Sequence, residues 1–332
     1  DINSGVGGKD HGNEYFVLTQ DLDLSAHRWE PIGRGTQSSS HHSFHGYLDG
    51  QNHVISGLYV DESTEKYSAG LFGNLSGDVK NLVIKDAYVK SVDNGDKYDG
   101  AGILAGNFAP LYGFDPITIE NCHVSGTVES DTAAGGLVGK NSYAGYKDCT
   151  TDVTIKGKGW AGGFVGSDFL GSYTNCTTKG RVNGHNSVGG FAGCIEGGSK
   201  AERCISYADV VGGNWHVGGF VGYYGYLSDY EMCEIKDCIV YGDVSNTLAH
   251  TLMKTGGFVG TNAGGKIQNC YTTAEISVAD ASKCGPLAGF VGYDDGGTTI
   301  GCFFDSTKNA ALNAIGDTGT AGTNEITGLP TA

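Results

Sequence analysis

Apolar and polar positions alternate along this chain in short bursts, and no stretch of helical length carries a 3.6-residue apolar period. Segments such as Ile119-Glu-Asn-Cys-His-Val-Ser-Gly-Thr-Val128 and Ile235-Lys-Asp-Cys-Ile-Val-Tyr-Gly-Asp-Val244 read as short β-strands bounded by turn residues. One pattern recurs: Ala134-Gly-Gly-Leu-Val-Gly139 returns in closely similar form at 161–166, 188–193, 217–222 and 255–260, with looser copies at 68–73, 101–106 and 287–292. The closing glycines stand at 73, 106, 139, 166, 193, 222, 260 and 292, so the step runs from 27 to 38 residues. A period of that length marks a solenoid or a propeller.

A second series runs in phase with the first. Cys122, Cys149, Cys176, Cys204, Cys238, Cys270 and Cys302 each follow Asn, Asp, Arg or Gly, and Leu82 fills the same slot in an earlier unit. Each unit therefore holds a Cys-centred strand, a second Val/Ile strand and the Gly-Gly-Phe-Val-Gly strand, with no room for a helix. A propeller blade needs four strands and about 40 residues. The arithmetic predicts an all-β chain folded as a right-handed parallel β-helix of about eight to nine three-strand coils, its hand set by the crossover rule. Residues 1–43 are expected to form an N-terminal cap with the first strand, and 44–332 the solenoid, as one continuous domain.

In such a solenoid each slot is a ladder of stacked copies. Gly136, Gly163, Gly190, Gly219 and Gly257 share one slot, immediately before a bulky Leu or Phe. Alternation places them on the outer face if the aromatic points inward, and their retention implies either positive φ or close packing over that face. The seven in-phase cysteines are expected as buried free thiols, because stacked side chains point the same way and their Cβ vectors do not suit a disulfide. Cys194, Cys233 and Cys284 lie off that ladder, and Cys194 with Cys233 is the one candidate pair.

The Gly-Gly-[Leu/Phe]-Val-Gly repeat resembles the GLUG motif of bacterial surface proteins, found in adhesin-like proteins and in the N-terminal region of the bacterial immunoglobulin A peptidase family. The leading segment resembles them too, in Tyr15-Phe-Val-Leu-Thr-Gln-Asp-Leu-Asp-Leu24, Trp29-Glu-Pro-Ile-Gly33 and Phe44-His-Gly-Tyr-Leu-Asp-Gly50. The resemblance spans nearly the whole chain. It implies an extracellular or cell-surface protein and a segment of a larger multidomain chain. It is specific for architecture and silent on ligand.

Glycine makes up 57 of 332 residues against a usual ~7 %, while proline numbers only 5, which fits turning coils and not disorder. The net charge of −16 excludes the basic footprint of a nucleic-acid binder, and keeps an edge-bearing solenoid soluble. No run of roughly 18 apolar residues is present to span a membrane as a helix.

The chemistry-bearing motifs are absent. There is no HExxH, GxSxG or phosphate-binding glycine loop, and no cofactor is expected. His41, His42 and His45 read as part of a solvated loop, without a carboxylate at ligand spacing. Asp168, Asp229, Asp294 and Asp295 are the carboxylates that a β-helix glycosidase could use if paired across coils, though corner aspartates are commonly turn residues. The remaining signal is aromatic. Tyr143, Tyr146, Phe169, Tyr223, Tyr224 and Tyr226, with Tyr112, Phe114 and Tyr230, follow the glycine motif, while Trp160 and Trp215 precede it. A stripe of aromatics beside carboxylates suits sugar rings. Two readings follow: a non-catalytic stalk or adhesive module presenting a corner to a host glycan or surface protein, and a glycan-binding or glycan-cleaving domain.

Overall fold

Eight successive coils turn at a residue held left-handed. Asn81, Asn121, Asp148, Asn175, Arg203, Asp237 and Asn269 all have φ between 52° and 54°, and Gly301 continues the series at 65°. Asn and Asp tolerate this region better than most residues, because the short polar side chain bonds locally. Here they bond to one another along the axis: Asn121 Nδ2 donates to Asn81 Oδ1 at 2.9 Å, Asn175 Nδ2 to Asp148 Oδ1 at 3.0 Å and Asn269 Nδ2 to Asp237 Oδ1 at 3.1 Å. The left-handed residue breaks the strand, so the cysteine that follows begins the next straight run.

The computed structural model describes residues 14–34, 43–64, 67–93, 99–108, 117–225, 230–247 and 251–331. In one middle coil, Gly145–Lys147 and Thr150–Gly157 lie in a first sheet, Trp160–Gly162 in a second and Val165–Phe169 in a third. The next coil pairs with it in parallel and in register, Tyr146 with Tyr173, Thr151 with Thr178, Trp160 with Ser187 and Val165 with Ala192. The three sheets contain 24, seven and nine strands. The fold is the parallel β-helix expected.

Two details of the expectation change. The coil has four strands in three sheets, because the glycine motif is a corner and not a strand: Trp160–Gly162 ends in the second sheet, the chain bends at Gly163 and Phe164, and Val165 opens the third. The coil count also rises. Tyr15–Val17 and Leu22–Asp23 pair in parallel with Tyr47–Asp49 and Val54–Ser56, and Ile32 bridges to Phe72. At the other end, Ile315–Thr318 pairs with Val291–Asp294. With the Ile32 bridge added to its nine strands, the third sheet runs through ten turns. The leading segment is thus itself a coil.

Identical side chains stack through the core. Phe164, Phe191, Phe220, Phe258 and Phe290 are fully buried, with successive ring centroids 4.9, 4.8, 5.1 and 4.8 Å apart and nearly parallel. Each buried ring contributes about 1.5–3 kcal/mol from burial alone. The seven ladder cysteines are buried, and all ten cysteines are unpaired, Cys194 and Cys233 included. Ladder thiols point at backbone carbonyls, Cys238 Sγ to Lys236 O at 3.2 Å and Cys270 Sγ to Gln268 O at 3.1 Å. Burial pushes the thiols of Cys176 and Cys238 well above the ordinary range.

Gly136, Gly163, Gly190, Gly219 and Gly257 do not have positive φ. Close packing holds them, and it comes from inside. A side-chain carbon on Gly163 would meet Thr178 Oγ1 of the first sheet and the carbonyl of Gly190, and one on Gly219 would lie 2.6 Å from Val240 Cγ1. The corner therefore leans against the opposite wall of the solenoid, and the expectation of an outer-face constraint is corrected to an inner one.

Candidate functional site

The corner that these glycines allow is re-entrant. A Cβ on Gly166 would sit 2.6 Å from Gly139 O and 2.8 Å from Ala134 N, and one on Gly193 would lie 2.6 Å from Ala161 N. Bare backbone thus lines the inside of the bend, and the second and third sheets approach each other on the solvent side. Side chains leaving the two sheets meet across it. Lys140 Nζ lies 5.4 Å from the centre of the Trp160 ring, His216 Nδ1 is 2.7 Å from Thr261 Oγ1, and Lys254 Nζ lies 4.7 Å from the centre of the Tyr293 ring. The result is a groove running along the solenoid axis.

Register fixes its walls. Ala133, Trp160, Ser187, His216 and Lys254 succeed one another on the second sheet. Lys140, Ser167, Cys194, Tyr223, Thr261 and Tyr293 do so on the third. His216 packs edge-on against Tyr223, with centroids 5.2 Å apart, and its imidazole is held neutral at neutral pH, its pKa lowered to about 4 by burial and by the charge of Lys254. The groove is therefore aromatic and hydroxylated, and its charges are mixed: Lys140 and Lys254 stand with the Glu196 carboxylate against Cys194 and the Asp295 carboxylate near Lys254.

The expected aromatic stripe is divided among three places. Tyr146 and Tyr224 are buried in the core, where Tyr146 stacks on Tyr173 at 5.0 Å and Tyr224 donates its hydroxyl to Lys266 O at 2.9 Å. They present nothing to a ligand. Tyr143 and Phe169 sit at the corner that leads back to the first sheet, Phe169 between Tyr143 at 5.8 Å and Tyr230 at 4.9 Å, all edge to face. Trp160 and Tyr223 belong to the groove, and Trp215 is exposed in the bend that precedes His216. Tyr226, with Tyr112, Phe114, His41, His42 and Asp229, lies outside the described residues.

Three of the four carboxylate candidates fall among the described residues. Asp168 is fully buried, accepting from Asn141 Nδ2 and Tyr173 Oη, each at 2.6 Å, and burial raises its pKa. Asp294 is buried as well, bonded by Gly297 N and Asn324 Nδ2, while Asp295 caps Thr320 at the surface. Among the described residues no group of three His, Cys, Asp or Glu is arranged to hold a metal ion. A cavity of about 360 Å³ opens where the first sheet meets the second, but Lys156 and Lys158 in its wall already pair with Glu129 and Asp131 at 2.7 and 2.8 Å.

Sequence reasoning missed Lys140, His216, Thr261, Lys254 and Tyr293. Their signal was present: each is the residue that directly flanks a copy of the glycine corner, two before its first paired glycine or one after its last.

Comparison with known proteins supports the same architecture. Residues 253–277 match the family model of the GLUG motif. The chain is 35 % identical over 141 residues to halomucin of Haloquadratum walsbyi, covering 39 % of this chain and 1 % of halomucin. It is 28 % identical over 163 residues to a "Putative Gly-rich membrane protein" of Evansella cellulosilytica, covering 39 % of this chain and 18 % of that protein. The chain thus spans a small part of these relatives. The crystal structure of a "putative immunoglobulin A1 protease" from Bacteroides ovatus superposes with a TM-score of 0.56 at 21 % identity, covering 87 % of this chain and 78 % of that one, a likeness of fold.

Proposed function

We propose that this GLUG-repeat β-solenoid is a non-catalytic module of a secreted or cell-surface protein, a rigid spacer that presents a ligand-binding groove. The observation that carries the reading is the continuity of the ladders. Ten turns stack in register with buried phenylalanine and cysteine columns, an arrangement that supplies length and stiffness and is indifferent to chemistry. The groove supplies the contact surface. The names of two proteins with related stretches, halomucin and a Gly-rich membrane protein, favour a surface or secreted setting.

The purified chain on a printed array of glycans and extracellular proteins tests this. Saturable binding to a subset of spots is expected. No binding to any spot at high concentration would leave a bare spacer and overturn the presenting role, and release of free saccharide from a spot would replace the module by a glycan-cleaving one.

A further inference from the structure

The outer face of the first sheet changes character along the axis. In the middle coils the residue after the ladder cysteine is His123, Thr150 and Thr177, paired in register. In the four coils that follow, the same column reads Ile205, Ile239, Tyr271 and Phe303. The next residues, Ser206, Val240, Thr272 and Phe304, are buried, so alternation turns the column to solvent. Ile205, Ile239 and Tyr271 are half-buried and Phe303 is exposed. A second column changes in step. Asp152 and Lys179 give way to Tyr207 and Tyr241, 45 % and 42 % exposed, their rings stacked at 5.0 Å. Six apolar or aromatic side chains thus make one patch on a wall that takes no part in the groove.

We propose that two copies of the chain associate through this face, side by side with their solenoid axes parallel. A two-fold axis running along the solenoid lays the Ile205–Phe303 column of each copy against the tyrosine column of the other. Charge selects that orientation. Asp209, Asp243 and Glu275 form an acidic column on one side of the patch, each successive backbone N–H bonded to the carboxylate before it. On the other side lies the turn column of Arg203, Asp237 and Asn269, which is mixed in sign. Parallel copies set the acidic column against the mixed one, whereas antiparallel copies would set it against itself. Within one copy Lys308 reaches Asp243 at 3.7 Å, Arg181 stands in register with Asp209, and Lys179 lies 5.9 Å from the centre of the Tyr207 ring. No excess of one sign is left to draw a charged partner. The patch has the size of an interface core. Four coils at ~4.8 Å by about 15 Å of strand is roughly 300 Å², against the ~800 Å² that each partner of a stable complex buries. The parallel arrangement supplies the rest, because the polar face of the middle coils then meets its own copy as a rim.

Each copy carries a net charge of −16, so like charge opposes the association and salt relieves it. Sedimentation equilibrium over a hundredfold range of concentration is expected to show a monomer–dimer equilibrium. Raising the salt from low ionic strength to about 0.5 M tightens it. Ile239→Glu and Tyr241→Glu each weaken the dimer at least tenfold with unchanged circular dichroism. Trp215→Ala, an exposed aromatic off this face, leaves it intact. A nitroxide at Thr127→Cys, on the same face nearer the N-terminal end and in a Cys284→Ser background, reads the orientation. The two labels lie close together in a parallel dimer and several coils apart in an antiparallel one, which would overturn the arrangement. A monomer at every concentration and salt overturns the proposal, as does a dimer that survives both glutamate variants or weakens with salt. A monomer whose Ile239→Glu variant loses a ligand found on the array would reveal a foreign occupant of this face, and equally overturns it.

Discussion

Thr178 Oγ1 occupies the space into which a side chain at Gly163 would grow, and it accepts a hydrogen bond from Thr151 Oγ1 one coil below at 2.9 Å. Thr151 Oγ1 also lies 2.8 Å from the carbonyl of Gly163. The glycine corner and the first sheet are thus locked together across the interior, and the same relation recurs where Thr272 Oγ1 donates to Gly257 O at 3.0 Å.

Gly190→Ala is expected to destabilise by roughly 1–3 kcal/mol, as overpacking against backbone with little room to yield. The added carbon meets Ser206 Oγ and the carbonyl of Gly219. Ser187→Ala, three residues earlier and facing the groove, is expected to change stability by less than about 1 kcal/mol. Equal melting temperatures for the two variants would show that the corner is not packed as described.

The left-handed ladder predicts an inverted order of substitutions. Asn175 holds φ 54°, donates to Asp148 and accepts from Arg203 Nε at 2.9 Å. Asn175→Ala is expected to cost about 1–2 kcal/mol, and Asn175→Gly less than Asn175→Ala, because glycine restores the backbone freedom while losing the ladder bonds. Urea denaturation of the pair decides it, and a glycine variant weaker than the alanine one refutes the account.

Thiol counting should find all ten cysteines reactive after denaturation without reductant. In the folded chain the ladder thiols are buried and out of reach of a reagent, so alkylation at neutral pH is expected to reach half-exposed Cys284 first and the ladder hardly at all. Fewer than ten groups would reveal a disulfide. Cys176→Ser is expected to lower stability by about 1 kcal/mol.

Asp168 makes stability depend on pH in the less common direction. Burial raises its folded pKa above the ordinary carboxylate value of 3.8, despite hydrogen bonds from Ser199, Tyr173 and Asn141 that pull the other way. A raised folded pKa contributes stability below the unfolded value and loses it as pH rises through the folded one. Asp168→Asn, which keeps the shape and cannot ionise, is therefore expected to gain in melting temperature on the wild type as the pH is raised from about 4 to about 7. A difference between the two proteins that stays constant across that range would contradict this.

The sequence by itself determined the period, the parallel solenoid and the identity of its buried columns. Those features depend on one residue repeating at one slot: Cys122 to Cys302 and Phe164 to Phe290 had to stack once the chain coiled with that period. The preference of Asn and Asp for φ above zero was legible as well, in the residue before most of the ladder cysteines. What only the tertiary structure decided was direction. Whether Gly163 faced inward or outward, whether the glycine motif was a strand or a bend, and whether Tyr146 or Trp160 reached solvent all turn on the angle at which two sheets meet. That angle arises from contacts between residues of different strands, Gly163 with Thr178 and Gly166 with Ala134, which no local alternation records. A single extra residue at the bend reverses every side chain beyond it, so Asp168 and Tyr224 enter the core while Lys140 and Tyr223 line the groove.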